Sequence, residues 1–158
     1  LHSRNNIRVT MRNILLFIIF MCVGCTPYAA YTAFLPVDNE QWVPTVSVKF
    51  EICVPTSSNP HTLHICVRTT ETHPFDSIYL PLEITQVWHA PDTSRTDTLC
   101  VALFDPTGNK NGKGINHRDI RVKLCTLEPT DTLKGLISIR PCLPHPVHGI
   151  SHVGVEIR

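Results

Sequence analysis

Hydrophobic and polar positions alternate strictly in several short runs that begin near residue 46. In the first run, Val46, Val48, Phe50 and Ile52 fall on one face, and polar side chains fall on the other. The runs with this period of two occupy 46–52, 63–68, 77–84, 98–104, 120–125, 134–140 and 152–157. Such alternation predicts half-buried β-strands. About seven or eight short strands, with no convincing helix among them, predict an all-β fold: an antiparallel β-sandwich of the immunoglobulin-like or jelly-roll-like kind.

The runs are joined by segments rich in turn-forming residues. Residues 55–61 contain two prolines and predict a loop, residues 89–97 predict a polar linker, and residues 105–114 hold three of the seven glycines. Pro81 lies inside the run 77–84. Because proline cannot donate a ladder hydrogen bond, that run predicts an edge strand or a bulge.

An apolar segment near the N-terminus has the features of an export signal. Residues 14–24 are almost entirely apolar, and Arg12 follows Met11, which we take as the start of translation. The segment is shorter than the roughly 20 residues that span a membrane, but it fits the hydrophobic region of a secretory signal, which is helical. It ends in Cys22-Val23-Gly24-Cys25, which resembles a bacterial lipobox. Cys25 is therefore the predicted site of lipidation.

The lipobox predicts a division of the chain into three parts. Residues 1–24 are an upstream extension plus the signal peptide, 25–44 a lipidated tether, and 45–158 the β-sandwich domain. Acyl chains contribute about 0.8 kcal/mol per buried CH₂, so a multiply acylated cysteine anchors a protein durably. Two alternatives remain open: an ordinary secretory signal cleaved near Ala29 or Ala30, and a short uncleaved anchor.

Composition and charge exclude several classes of protein. Thr, Val and Ile make up 45 of the 158 residues, and 13 prolines stand against 7 glycines. β-Branched residues suit a pleated sheet, and with so many prolines they argue against a helical bundle or a coiled coil. The formal net charge is +1. Nucleic-acid binding needs clustered Lys and Arg, so a nucleic-acid partner is not predicted.

One glycine-rich segment superficially resembles ligand-binding motifs. Residues 108–114 contain glycines and a lysine, but no Ser or Thr follows the lysine and a strand pattern comes next, whereas a P-loop opens a helix. Asp105, Asn109 and Asn111 offer oxygen ligands for calcium, but the glycine of an EF-hand loop is missing at the required position. A hairpin turn accounts for the segment.

Three histidines near the C-terminus, His145, His148 and His152, are candidate zinc ligands. The prolines on either side of His145 prevent one helical face from presenting them, and polar histidines in a loop and a strand are the favoured interpretation. No nucleophile elbow and no Cys–His catalytic motif is present in the sequence. The sequence therefore predicts no catalytic residue, no metal site and no cofactor.

Five cysteines remain beyond the predicted signal and lipidation site, and this odd number leaves at least one of them unpaired within the chain. They are Cys53, Cys66, Cys100, Cys125 and Cys142. If strands at 98–104 and 118–125 form a hairpin, Cys100 and Cys125 lie nearly opposite each other. A disulfide between them is then a candidate, since bridged Cα atoms lie within about 7 Å. The alternative is that the cysteines are small apolar fillers.

Several short motifs follow the lipobox in a fixed order. They are FLP at 34–36, QW at 41–42, VKF at 48–50, RTT at 68–70, HPF at 73–75, IYL at 78–80, DTL at 97–99, LFD at 103–105, GKG at 112–114, GI at 149–150 and VGVEI at 153–157. The positions that carry the pattern are Cys25, Trp42, Arg68, Pro74, Phe75, Asp97, Gly108, Gly112, Gly114, Gly149 and Gly154. Each motif alone is weak, but their shared order and spacing are specific.

With these motifs the chain resembles the gliding-motility lipoprotein family GldH of the Bacteroidetes over nearly all of residues 25–158. His73 stands where that family usually has tyrosine, and residues 140–143 read Arg-Pro-Cys-Leu where it tends to carry Gln-x-Met-Arg. In such a fold the glycines of 108–114 allow positive φ at a turn. Trp42 and Phe75 supply large apolar side chains to the core.

The resemblance implies a non-enzymatic envelope lipoprotein of gliding motility, or of the secretion machinery that motility uses, with other envelope proteins as partners. No acidic run of the surface-export kind follows Cys25, which favours an outer-membrane lipoprotein that faces the periplasm. Two other classes stay open. A carbohydrate- or peptide-binding lipoprotein needs an exposed row of aromatic residues, and an enzyme needs a pocket of convergent titratable groups.

Overall fold

The computed structural model describes residues 29–71, 77–89, 92–128 and 132–158. The predicted signal-peptide helix and Cys25 lie outside the described residues, as do Pro74 and Phe75. Within the described ranges the regular structure consists of β-strands and one 3₁₀ turn at Asp38–Glu40. No helix in these ranges has the length and apolar character needed to cross a membrane.

The described residues form ten strands, which include several longer than the short strands expected. They are β1 (Tyr31–Pro36), β2 (Gln41–Trp42), β3 (Val48–Val54), β4 (His61–Thr70), β5 (Tyr79–His89), β6 (Asp92–Ala102), β7 (His117–Leu127), β8 (Leu133–Pro141), β9 (Val147–His148) and β10 (Ile150–Ile157).

Eight of these strands form two four-stranded antiparallel sheets, as a β-sandwich requires. Sheet I has the order β1-β10-β4-β7, and sheet II has the order β3-β8-β5-β6, while β2 and β9 pair in a short ribbon. Successive long strands change sheet except at the β5–β6 hairpin. This interleaving of two four-stranded sheets is the jelly-roll arrangement. The expected antiparallel β-sandwich is therefore confirmed.

The core lies between the sheets, where the alternating runs place their apolar side chains. Every second residue is fully buried in β4 (Leu63, Ile65, Val67) and in β5 (Leu80, Leu82, Ile84). Burying one such side chain contributes roughly 1.5–3 kcal/mol, so these layers dominate the stability of the sandwich. Val46 was expected on the same face as Phe50 but is 53% exposed, because it precedes the start of β3.

The β5–β6 hairpin is longer than the sequence pattern predicts, and the polar linker expected over 89–97 is wrong for the residues from Asp92 onward. Strand β6 pairs with β5 along its whole length, from Asp92 to Ala102. It is an edge strand of sheet II, and most of its polar side chains are exposed. The sequence of β6 therefore shows no alternation of apolar and polar residues over its first half. Threonine, which occupies three of its positions, is favoured in strands.

Part of the segment expected to be a tether belongs to the sheets. Strand β1 pairs with β10 from Tyr31 to Pro36, and β2 pairs with β9. Edge strands this short show little alternation, which explains why no pattern predicted them. The described sandwich therefore begins at Tyr31 and not at residue 45.

The hairpin expected between 98–104 and 118–125 does not form. Strand β6 pairs with β5 in sheet II, whereas β7 pairs with β4 in sheet I. Cys100 is exposed on β6, and Cys125 packs against the core from β7. The structure therefore contradicts the predicted Cys100–Cys125 disulfide: both are free thiols, as are Cys53, Cys66 and Cys142.

Pro81 does not mark an edge strand. Strand β5 lies between β8 and β6, in the interior of sheet II. The register between β5 and β8 begins at Leu82, and the Pro81 carbonyl accepts a hydrogen bond from the Cys142 amide at 2.8 Å. The missing N–H of Pro81 thus falls where β8 ends, which explains why the interior strand tolerates it.

Candidate functional site

The outer face of sheet I carries a group of paired charged side chains. The register places residues of β1, β10, β4 and β7 side by side in two adjacent rows that point away from the core. The first row is Phe34, Gly154, Cys66 and Arg121, and the second is Pro36, His152, Arg68 and Asp119. We call these two rows, together with Glu156 of the next row, the sheet I outer face.

Arg68 and Asp119 form a bidentate ion pair on this face. The guanidinium donates from Nε to Oδ1 at 2.7 Å and from Nη2 to Oδ2 at 2.9 Å. These hydrogen bonds lower the pKa of Asp119, although partial burial opposes the shift. The same carboxylate raises the pKa of Arg68. Paired parallel hydrogen bonds of this kind fix geometry as well as charge.

A glycine brings an aromatic ring under the same guanidinium. The Arg68 guanidinium carbon lies 4.9 Å from the centre of the Phe34 ring, a cation–π distance. The ring lies against Gly154, where a Cβ atom would stand 2.6 Å from two ring carbons. Gly154 therefore makes room for the Phe34 ring across the neighbouring strand.

Glu156 is a nearly buried carboxylate on this face, with 3% exposure. Arg121 Nη2 lies 2.6 Å from its Oε2, and Arg158 Nε donates to its Oε1. A carboxylate this deeply buried needs such partners, because desolvating an unpaired charge is costly. Two arginines from different segments thus hold one acid at the edge of the core.

Cys66 lies beside this carboxylate but is not an activated nucleophile. Its thiol Sγ is 3.9 Å from Oε2 of Glu156, and burial raises its pKa to about 11. Because the thiolate is the reactive form, a thiol with this pKa stays protonated and inert at neutral pH.

A cleft of about 840 Å³ begins at this face and extends around β7 to β6. Phe34 and Cys66 line it on the side of sheet I, and Cys100 and Ala102 line it on the side of sheet II. The loop between β6 and β7 borders one end, where Asn111 Nδ2 donates to the Ala102 carbonyl at 3.1 Å.

Polar side chains of β5, β6 and β7 also meet between the sheets. Gln86 of β5 is 2% exposed and donates from Nε2 to Asp97 Oδ2 at 3.0 Å. Arg95 Nη2 lies 2.7 Å from Asp97 Oδ1, and the Cys125 thiol reaches Gln86 Oε1 at 3.9 Å. Asp97 therefore bridges the buried Gln86 and the exposed Arg95 at the edge of sheet II.

Replacing Arg68 with glutamine is expected to raise the pKa of Asp119 toward the ordinary aspartate value of about 3.9. Folding lowers this pKa in the native protein, so the ion pair stabilises the fold at neutral pH and loses that effect as the pH falls through the folded-state pKa. Because both side chains are about a third or more exposed, solvent screening limits the loss to roughly 1 kcal/mol.

Carbon-detected NMR titration of the Asp119 carboxyl, together with urea unfolding from pH 7 to pH 2.5, measures both quantities. Arg140→Gln is the matched control, because it breaks a comparably exposed pair, with Glu83, and leaves Asp119 untouched. An unchanged Asp119 titration in Arg68→Gln would contradict the assigned pairing.

Most of the described motif residues that carry the resemblance fall in three places in the structure. Arg68 and Gly154 meet on the sheet I outer face through Phe34. Gly108, Gly112 and Gly114 lie in the β6–β7 loop with positive φ, and the backbones of Lys113 and Asp119 hydrogen-bond to each other. Trp42 and Gly149 lie at the β2–β9 ribbon, where the Gly149 amide donates to the Glu40 carbonyl. Asp97 lies apart from these three places.

Sequence reasoning missed Glu156, Arg121 and Phe34 as members of one site. Alternation placed Arg121 on an outward face, but nothing local shows which strand lies beside it. Among the described residues, no group of three His, Cys, Asp or Glu side chains is placed to hold a metal ion. His145 lies in the β8–β9 connection, whereas His148 and His152 lie in β9 and β10.

Comparisons with known proteins indicate the family of the chain. A family profile described as GldH lipoprotein matches residues 29–157. No curated protein sequence matches the chain. Two solved structures show weak likeness: the infectious bursal disease virus VP2 subviral particle, at 14% identity and a TM-score of 0.33, and the Gx strain of that virus, at 14% and 0.29. They cover 85% and 86% of this chain, which spans only 37% and 36% of theirs, and likeness at this level carries no argument.

The fold and the site define a jelly-roll β-sandwich protein with a charged outer face and an adjoining cleft. The profile match covers most of the chain, so the protein belongs to the GldH lipoprotein family, as the sequence motifs indicated. Lipoproteins are held at a membrane of the cell envelope by acyl chains.

Proposed function

We propose that the protein is a lipid-anchored, non-enzymatic adaptor of gliding motility or of the secretion machinery associated with it. The observation that carries this proposal is the family match over residues 29–157. We further propose that Cys25 is the lipidated residue, that the protein faces the periplasm from the outer membrane, and that its partners are other envelope proteins.

The chemistry of the site supports a binding role. The charged groups of the sheet I outer face are engaged with one another, as in the pairs Arg68–Asp119 and Arg121–Glu156. Nucleophilic catalysis needs a lowered pKa or an adjacent base, whereas burial raises the pKa of the Cys66 thiol. A fixed array of charges beside a cleft suits recognition of a partner.

The described residues do not favour the carbohydrate-binding alternative. Tyr79 is 56% exposed on β5 of sheet II, whereas Phe34 lies under Arg68 on sheet I. These aromatic side chains belong to different sheets and form no row.

Deletion of the gene in the host bacterium tests the proposal. We expect loss of surface spreading or of protein export, and full recovery on expression of the complete chain. Cys25→Ser should fail to restore either, because the protein would lack its acyl chains, whereas Cys53→Ser, at an exposed cysteine of β3, should restore both. Incorporation of an alkyne-labelled palmitate reports lipidation. Normal spreading and export in the deletion strain, or full recovery with unlabelled Cys25→Ser, would contradict the proposal.

A further inference from the structure

The free edge of β6 presents unpaired backbone groups to solvent. The Pro81 carbonyl bonds toward β8, so Pro81 and its partner Cys100 form a non-hydrogen-bonded pair, and the N–H and C=O of Cys100 point away from β5. The register of the hairpin is regular, so the same holds for Thr98 and Thr96. These three residues make no hydrogen bond through those groups to any described residue.

The other edge strands carry features that hinder strand addition, whereas the only such feature of β6 is its charged side chains, two of which, Arg95 and Asp97, pair with each other. Strand β1 is short and ends at Pro36, and in the seven-residue β3 the Glu51 carbonyl accepts a hydrogen bond from the Tyr31 hydroxyl at 3.0 Å. Strand β7 is paired at one end through Lys113 and Asp119 and carries several exposed cations. Strand β6 has eleven residues without proline, lysine or bulge. Natural proteins seldom leave such an edge open, because it invites another strand.

The cleft lies beside this open edge. Cys100 and Ala102 line it from β6, and Ile120 and Val122 line it from β7. Ile120 is 4% exposed, so it forms an apolar floor at the border of the core. A strand added to β6 can therefore bond to the backbone edge and direct alternate apolar side chains into the cleft.

The charge around the cleft indicates which kind of added strand would bind there. Lys113 lines the cleft, and Lys123 lies two residues beyond Arg121 on the same face of β7. Both lysines are exposed and form no ion pair with a described residue. The neighbouring carboxylates are already engaged, Asp119 by Arg68 and Asp97 by Arg95. The excess positive charge favours an acidic partner.

We propose that β6 is a docking edge that binds an extended, acidic segment of another envelope protein by β-strand addition, with alternate apolar side chains of that segment in the adjoining cleft. This inference rests on the proposed adaptor function and names the surface that would perform it. Main-chain hydrogen bonds to Thr96, Thr98 and Cys100 give affinity, and the cleft and the two lysines give specificity.

Thr98→Pro is expected to disrupt the docking edge without disrupting the fold. The Thr98 N–H points to solvent, so proline removes no ladder hydrogen bond and should leave the sandwich intact, but it removes a donor and places a ring in the path of an added strand. Thr98→Ala is the matched control, because it keeps the amide. If thermal unfolding shows that Thr98→Pro is unfolded, Ser94→Pro removes another outward-facing amide of the same edge.

Site-specific photocrosslinking of the full chain in the host bacterium tests the proposal. A photoreactive p-benzoylphenylalanine replaces Thr96 on β6, or Cys53 on β3 as the control edge. We expect a crosslink from position 96 to an acidic segment of another envelope protein. Its yield should fall at least tenfold with Thr98→Pro and remain unchanged with Thr98→Ala. Lys123→Glu should also weaken it, whereas Lys134→Glu, at an exposed position of β8, should not.

The other outcomes distinguish this inference from the proposed function. A partner that crosslinks equally from Cys53, or whose yield Thr98→Pro leaves unchanged, would overturn strand addition at β6 but leave an adaptor role standing. A crosslink to a second copy of the chain would assign the edge to self-association and overturn the proposal. The absence of a crosslinked envelope protein from both positions would count against both proposals.

Discussion

Replacing Trp42 with alanine is expected to lower the free energy of unfolding by about 3–5 kcal/mol. Trp42 is 1% exposed and is among the largest fully buried side chains of the described residues. Its truncation removes apolar contact area and leaves a cavity that the surrounding residues fill only in part. Domains of this size are stable by about 5–15 kcal/mol, so the loss is a large share of the total.

Two variants show which part of this effect comes from packing. The Trp42 indole Nε1–H donates to the Val46 carbonyl at 3.0 Å, so Trp42→Phe loses that hydrogen bond but keeps much of the ring and should cost distinctly less than alanine. Tyr79→Ala removes a side chain that is 56% exposed and should change stability by no more than about 0.5 kcal/mol. Urea unfolding measures all three, and a cost below 1 kcal/mol for Trp42→Ala would contradict a core role.

The interior strands were predictable from the sequence because apolar side chains recur at every second residue. Leu63, Ile65 and Val67 alternate with polar residues, and this pattern reports directly which side chains meet the core. Edge strands lack this signal. In β6 the threonines and aspartates resemble a linker, and only pairing with β5 shows that they form a strand.

Strand pairing was not predictable, because it depends on contacts distant in sequence. The turn after β6 looked like the tip of a hairpin, but the chain crosses there from sheet II to sheet I. The same limit applies to the site. Arg68 carried a motif, yet Asp119, 51 positions away, meets it only through the β4–β7 register. Nothing in the sequence around Glu156 indicates that this carboxylate is buried. Its burial between Arg121 and Arg158 depends on the pairing of neighbouring strands.

Replacing Gly114 with alanine is expected to cost roughly 3 kcal/mol, the second-largest effect among these substitutions. Gly114 has a φ of +134°, which side-chain-bearing residues rarely adopt, and an added Cβ would lie 1.9 Å from the backbone oxygen of His117. Backbone cannot yield as a flexible side chain does, so the loop must move. That movement would disturb the paired backbone bonds between Lys113 and Asp119.

Gly108→Ala separates the steric clash from the conformational cost. Gly108 also has a positive φ, +85°, but no atom lies within 4 Å of an added Cβ, so only the backbone strain of about 1–2 kcal/mol applies. Urea unfolding should rank the two variants in that order. Hydrogen exchange at the Lys113 and Asp119 amides should accelerate in Gly114→Ala alone, because only that substitution forces the loop away from His117 and β7. Equal costs, or unchanged exchange in Gly114→Ala, would contradict the close approach to His117.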